Sequence, residues 1–515
     1  MPENTLHRGL AHLQAAEFLY EMRLFPEREY TFKHALTHEV AYSGLLQDRR
    51  RVLHAHIVEA LERLAPDRLV EQVERLAHHA LRGEVWDKAL AYFRQAGEKA
   101  MARPAYREAV GYFEQALSAL PHLPEQRHTR EQAVDLRLVL REALLPSGDY
   151  GRILALLREA ESLVTALNDP RRLGWILYSL SHHFFIMGTH DQAIATRQRA
   201  LALATASGDG VLHALANHYL GLSYHTQGDY RQGIDCLGQT VAFFEGARRR
   251  ERSGGPFLPA VAARGWLAMC HAELGAFAEG RALGDEGLRI AEAVAHPPSL
   301  MVASSGVGLL ALRQGDLPRA IPLLERTVVL CQDADLPLYF PWVAAALGAA
   351  YTLGGRAADA ISLLTQAMAQ STAMESIYYE TLCKLPLGEA HLAAGHVEEA
   401  HTFAERTLVL TQEHHERGNQ AYALRLLGDI AARCNPPEVE QAEAHYHQAL
   451  ALAEELGMRP LQAHCHLGLG TLYITTDQRE QARAELSTAI ALYRSMDMTF
   501  WLPQAEVVLA QVEKR

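Results

Sequence analysis

With 61 acidic against 49 basic side chains and a net charge of −12 over 515 residues, the chain lacks the concentrated positive charge that a nucleic-acid groove needs to release counterions. Hydrophobic residues make up 49% of it but aromatic ones only 7%, a balance that fits Ala- and Leu-rich helix packing. Six scattered cysteines without a CxxC, an N-terminus without an apolar core and no apolar run of bilayer length argue against metal clips, secretion and membrane insertion, so a cytoplasmic location is expected.

Taken in order, Leu6 to Met22 reads as a helix that Pro26 breaks, and Glu29 to Phe32 (EYTF) is a short β-prone run. Two helices are expected next, near 35–46 and 49–64, and Pro66 closes this first region of residues 1–66. The second region, 67–515, starts irregularly over 67–129. Ala89, Phe93, Ala96 and Ala109, Phe113, Ala116 each mark one helix, and a proline-broken stretch follows at 121–129.

Regular phasing runs from 130 to 498. Small residues recur at Ile153, Ala193, Gly233, Gly280, Ala320, Ala360, Ala400, Ala442 and Ala482, at intervals of 40, 40, 47, 40, 40, 40, 42 and 40. Most follow by five residues a turn glycine: Gly148, Gly188, Gly228, Gly275, Gly315, Gly355 or Gly395. Such a period implies stacked helical hairpins, each contacting only its neighbours. The long interval holds an arginine-rich insertion near 246–256, expected as a solvated, mobile loop, with an anion or membrane site as the alternative. Asn435-Pro436-Pro437 replaces one glycine turn, and 499–515 reads as a single capping helix.

Within each unit a second pattern appears. Leu347, Gly348, Tyr351, Gly355, Ala360, Leu364 and Ala367 are spaced 1, 3, 4, 5, 4 and 3 apart, and the series from Leu220 to Thr240 and from Leu469 to Ala489 repeat those offsets. This resembles the tetratricopeptide repeat, lengthened from the usual unit by nearly a turn per helix. The expected fold is therefore all-α, a superhelical solenoid of roughly 40-residue hairpins. Small residues stand where paired helices cross closely, because a larger side chain there would wedge the backbones apart.

The opening residues carry a second resemblance. Tyr30-Thr-Phe-Lys-His34-Ala-Leu-Thr-His38-Glu-Val-Ala-Tyr42 and Arg49-Arg50-Arg51-Val-Leu-His54 are similar to the end of the winged-helix segment of a STAND-type signalling ATPase. Leu76-Ala-His78-His79-Ala, Trp86-Asp-Lys-Ala89-Leu and Ala96-Gly97-Glu-Lys-Ala100 are similar to the start of the repeat array in the bacterial group that joins a nucleotide cyclase, an ATPase and a tetratricopeptide sensor. The resemblance covers residues 1–120 specifically. It implies that His34 approaches nucleotide phosphates, against packing between helix and strand, and that Arg50 and His54 form an interdomain contact, against a solvated pair. None of the five lysines follows a glycine, so these residues contain no phosphate-binding loop, and no cyclase domain stands among them.

No metalloprotease motif, nucleophile elbow or separable triad is found, so a non-enzymatic protein without a cofactor is expected. The 27 histidines are read as scattered over helix faces; His464 and His466, two apart, point about 200° apart. Projecting the inner face of each hairpin's first helix selects Trp175, Tyr178, His182, Phe185, His218, Leu222, His225, Met269 and Trp342, with Arg313 and Glu389. Around 175–225 this face is aromatic and nearly uncharged. It suits an apolar or aromatic peptide segment or a small-molecule effector, with ordinary inter-helix packing as the alternative. The expected role is the sensor arm of a signal-transduction ATPase, partnered by a protein or peptide such as an ATPase or cyclase domain, with no nucleic acid or membrane. The rival is a free-standing interaction scaffold.

Overall fold

Periodicity dominates the architecture: among the described residues there are twenty-five α-helices, five 3-10 turns and one β-hairpin. The computed structural model describes residues 3–23, 29–64, 66–103, 105–253, 255–333 and 336–514. The chain forms two compact units, Met1–Ala143 and Leu144–Arg515.

In the first unit α1 is Glu3–Ala15, shorter than expected. Glu17 takes φ +60°, a left-handed conformation that ends the helix, and Leu19–Arg23 becomes strand β1. It pairs antiparallel with β2, Glu29–Phe32, with Leu19 opposite Phe32 and Tyr20 opposite Thr31. The Leu-Tyr-Glu-Met run is better satisfied by this ladder than by the helix assigned to it from periodicity. Helices α2 (Ala35–Ser43), α3 (Gln47–Leu64), α4 (Val73–Arg82), α5 (Trp86–Ala102), α6 (Tyr106–Ala119) and α7 (Arg127–Leu144) follow. The α5–α6 crossing is close: a Cβ on Gly97 would lie 2.4 Å from the Phe113 ring.

The second unit alternates inner and outer helices. The outer ones are α8 (Tyr150–Leu167), α10 (His190–Ser207), α12 (Tyr230–Phe243), α14 (Phe277–Val294), α16 (Leu317–Asp333), α18 (Ala357–Ala373), α20 (Val397–Glu413), α22 (Val439–Leu456) and α24 (Arg479–Ser495). Between them run the inner helices α9 (Pro170–Ile186), α11 (Gly210–Gln227), α13 (Pro259–Leu274), α15 (Pro297–Gln314) and α17 (Phe340–Leu353). The inner series continues with α19 (Ile377–Ala393), α21 (Arg417–Arg433) and α23 (Arg459–Thr475), and α25 (Leu502–Lys514) caps the array.

Outer helices bury one stripe, as in Ala360, Leu364, Ala367 and Ser371 of α18, and keep the opposite face wet. Inner helices are buried nearly all round, as α13 is from Pro259 to Glu273. A cause lies far along the chain. Helix α9 packs on α19, α11 on α21 and α13 on α23, so ten helices, or five hairpins, complete one coil of the superhelix and the second coil rests on the first.

The seam between coils is built from loops. The inner-to-outer loop at Gly148 meets Met374; Gly188 meets Ile377 and His414; Gly228 meets Gly418 and Leu456; Gly275 meets Pro460 and Met496; Gly315 meets Phe500 and Trp501. Hydrogen bonds pin it. His190 Nε2 lies 3.2 Å from Glu416 Oε1 with both side chains fully buried, His414 Nδ1 is 3.0 Å from the Gly188 carbonyl, and Ser376 Oγ donates to the Ile186 carbonyl at 3.4 Å.

The first part of the arginine-rich insertion packs back on the unit. Residues Gly246–Arg250 form a 3-10 turn; Arg249 pairs with Glu245 and Glu286, Arg264 pairs with Glu245, and Arg248 covers the Phe243 ring at 4.4 Å. Arg248 and Arg249 thus face the unit's own carboxylates, while Arg250 and Arg252 are exposed to solvent. No described helix is long and apolar enough to cross a membrane.

Candidate functional site

The inner helices of both coils converge on one partly open cleft with a volume of about 120 Å³. Its apolar wall comes from the first coil: Trp266 and Met269 on α13, Leu309 on α15 and Trp342 on α17, facing Leu382 and Leu385 on α19. The Trp266 and Trp342 rings lie 5.7 Å apart and nearly parallel, in an offset stack, with His225 edge-on to Trp266 at 5.3 Å.

A charged wall continues from it. Arg313 Nε donates to Glu273 Oε1 at 2.8 Å, Tyr422 Oη donates to Glu273 Oε2 at 2.7 Å, and the Arg313 guanidinium lies 4.3 Å from the Tyr422 ring centre. Glu273 and Arg313 each stand two residues before a turn glycine, Gly275 and Gly315, so consecutive repeats bring the two charges side by side. Tyr422 comes from the second coil. Next along, Arg425 Nη2 donates to Glu389 Oε1 at 2.6 Å and its Nη1 to Asp429, whose Oδ1 accepts from Tyr446 Oη at 2.7 Å. Here the cleft opens into a second lobe of about 380 Å³ that shares Arg313, Glu389 and Tyr422 and reaches His464 and Trp501.

Burial sets the protonation of this surface. It works against the charge of Arg313, but Glu273, Tyr422 and Glu389 together outweigh it and keep the guanidinium protonated. Burial pushes His225 down to about 4, and drives His464 well below the ordinary imidazole range, so both are neutral at pH 7. Tyr422 is raised well above its usual value by burial and holds its proton, as the donor to Glu273 requires.

The residues selected from sequence divide. His225, Met269, Trp342, Arg313 and Glu389 meet in the cleft. The 175–185 group does not line it: Trp175 Nε1 donates to Asp209 at 3.2 Å, Tyr178 and His182 stand edge-on to Tyr219, and Phe185 packs 4.5 Å from Tyr378 across the coil seam. His218 and Leu222 are each only 6% exposed within α11. Trp266, Glu273, Tyr422, Arg425 and Asp429 were not selected. The Arg425–Asp429 spacing of four on one helix was a usable signal, and so was the opposite charge at matching positions of adjacent repeats. For Tyr422 there was none, because the chain does not reveal how many repeats complete a coil.

In the first unit His34 is exposed at the N-cap of α2. Arg50 donates from Nε to the Leu45 carbonyl and from Nη2 to the Ser43 carbonyl, closing the C-terminal end of α2 while covering the Tyr42 ring at 4.8 Å. His54 is 8% exposed; its Nε2 lies 3.0 Å from Tyr42 Oη and its Nδ1 2.8 Å from His79 Nδ1. Burial and the neighbouring His54 push His79 down to about 4.

Comparison with known proteins agrees with the fold. Residues 172–246 match the tetratricopeptide repeat family model. An uncharacterised protein of Rhizobium meliloti (strain 1021) is 24% identical over 247 residues, 45% of this chain, and the match spans only 23% of that relative. Among solved structures, a Rap protein complexed with competence and sporulation factor superposes with a TM-score of 0.53 at 15% identity, covering 72% of this chain and 99% of that one. The Rap conjugation gene regulator of plasmid pLS20 in complex with the Phr* peptide gives 0.48 at 14% identity, covering 58% and 76%. A STAND protein with a tetratricopeptide repeat sensor from Pyrococcus horikoshii gives 0.40 at 13%, covering 74% and 55%. The chain is thus an all-α, tetratricopeptide-like helical repeat solenoid.

Proposed function

We propose that this chain is a non-enzymatic binding module that grips a peptide or protein segment in the cleft between its two coils, and that it serves as the sensor arm of a STAND-type signal-transduction ATPase. The observation that carries the reading is the composition of the cleft wall: Trp266 and Trp342 belong to one coil and Tyr422 and Glu389 to the next. A ligand touching both favours one spacing of the coils over another, and differential binding of that kind is what shifts a conformational equilibrium. The hairpin array then transmits the change as a small rotation per repeat. In the first unit, the exposed His34 is the group we assign to contact with nucleotide phosphates, supplied by an ATPase or cyclase module, and Arg50 with the buried His54 behind it to the surface that meets that module.

Two measurements test this. A peptide-array screen on the full chain should yield binders whose affinity falls at least tenfold in Trp342→Ala, the loss of about 1.4 kcal/mol or more that truncating a buried aromatic anchor brings. Binders indifferent to that change would remove the cleft from the mechanism. His34→Ala should weaken nucleotide-dependent association with a STAND ATPase module while leaving peptide binding in place. A free-standing scaffold is the second reading, favoured by the buried His190–Glu416 pin, which holds the coils together without any ligand. Hydrogen exchange along the seam that stays unchanged on peptide binding would select it.

A further inference from the structure

The carboxylate oxygens along the cleft give the ligand a chemistry, on the premise that the cleft is the binding site. Glu273 has both oxygens occupied, by Arg313 and by Tyr422. Asp429 has both occupied, by Arg425 and by Tyr446. Glu389 uses only Oε1, for Arg425; among the described residues no donor reaches Oε2. Glu389 is 26% exposed in its side chain and lines both lobes, so the open oxygen belongs to the cleft surface.

Charge gives the same answer independently. Three carboxylates (Glu273, Glu389, Asp429) face two guanidinium groups (Arg313, Arg425) along this wall, which leaves one negative charge. His225 and His464 do not offset it, being neutral; Arg433 also lines the second lobe, but it is exposed to solvent and pairs with none of these three carboxylates. An uncompensated charge in a partly desolvated cleft is costly, and the group that relieves it is a cation. Beside it stand the aromatic faces of Trp342, Trp266 and Tyr422, which attract cations and apolar bodies alike.

We propose that the cleft recognises a monocation joined to a large apolar group, presented by a short peptide as a Lys or Arg side chain next to an aromatic or aliphatic residue. The cation donates to Glu389 Oε2, and the apolar neighbour lies against Trp266 and Trp342.

Calorimetric titration of the full chain with matched probes decides it. Acetyl-Phe-Arg-amide should bind about tenfold more tightly than its citrulline counterpart, the size of one desolvated cation contact. Glu389→Gln should erase that preference, and Glu389→Asp, which keeps the charge, should restore part of it; thermal melts of both variants report folding. Phenethylamine against phenethyl alcohol supplies the second arm. An amine that matches the dipeptide assigns the same chemistry to a small molecule, and one far weaker assigns it to a peptide. Equal binding of charged and neutral probes overturns the cation proposal but leaves the cleft in place if Trp342→Ala weakens them all. Binding of no probe, or of probes that ignore both Glu389 and Trp342, overturns the cleft reading as well.

Discussion

Gly315 and Gly355 occupy the same place in neighbouring repeats, each seven residues after a helix glycine (Gly308, Gly348), and share a left-handed backbone, with φ of +86° and +77°. Their surroundings are opposite. A Cβ on Gly315 would sit 2.6 Å from Phe500 Cβ and 2.7 Å from Trp501; at Gly355 it would meet nothing within 4 Å, and the same holds at Gly395. Gly315 is buried under the second coil, whereas Gly355 and Gly395 are exposed at its rim. Where another coil covers the loop, glycine is required twice, for backbone conformation and for the close approach. At Gly355 and Gly395 only the conformation demands it, and Asp477 fills an equivalent loop at φ +56°. One repeat signature therefore marks two physical situations, and only the packed one holds the superhelix closed.

The comparison breaks most directly at its two ends. Gly315→Ala should cost about 2–5 kcal/mol, since the left-handed penalty of about 1–2 kcal/mol adds to overpacking of about 1–3 kcal/mol. Gly355→Ala should cost only the former. Urea midpoints of the two variants, followed by hydrogen exchange at the seam because arrays do not always unfold in one step, measure the gap. Equal midpoints would mean that the coils do not support one another.

Packing inside a hairpin gives the reference for packing between coils. Ala360 is fully buried where α17 and α18 cross, away from the seam. Ala360→Leu should destabilise the array by about 1–3 kcal/mol through overpacking alone. Protection of the His190–Glu416 region should survive it, which sharpens the distinction. An unchanged midpoint would instead place Ala360 off the crossing.

What was legible in the sequence follows from range. The hairpin period, the small residues at crossings and the capping helix rest on contacts between neighbours, and periodicity reports neighbours. Strand β1 was missed because Leu19–Arg23 carries a helix-compatible pattern until its pairing with β2 is known. The inner-face phase also selects Trp175, Tyr178 and Phe185, which engage Asp209, Tyr219 and Tyr378 away from the cleft. The charged wall was half visible, as Arg313 and Glu389, but its closure by Tyr422 depends on a coil of five hairpins, a number set by small angles that sum over the array rather than by any one residue.

The smallest expected effect concerns protons and separates the cleft from the rest. Burial lowers His225 from 6.5 to about 4 and His218 to about 3 in the second unit, and His79 to about 4 in the first. Each group binds a proton more readily unfolded than folded. Their contribution is therefore fully present above the unfolded value of 6.5 and is lost as pH falls toward the folded value. His225 is only partly buried at the cleft and its Nε2 has no hydrogen-bond partner, so its share of the slope should stay below the about 1.4 kcal/mol per pH unit that a full proton difference gives. Denaturation midpoints of His225→Asn and His79→Asn, taken at about pH 7 and about pH 5, should each fall less on acidification than those of the parent chain. Hydrogen exchange should place the His225 gain in helices α11 and α13 and the His79 gain in α3 and α4. A gain for His225 that appears only with a cationic probe bound would tie the titration to the ligand rather than to the fold.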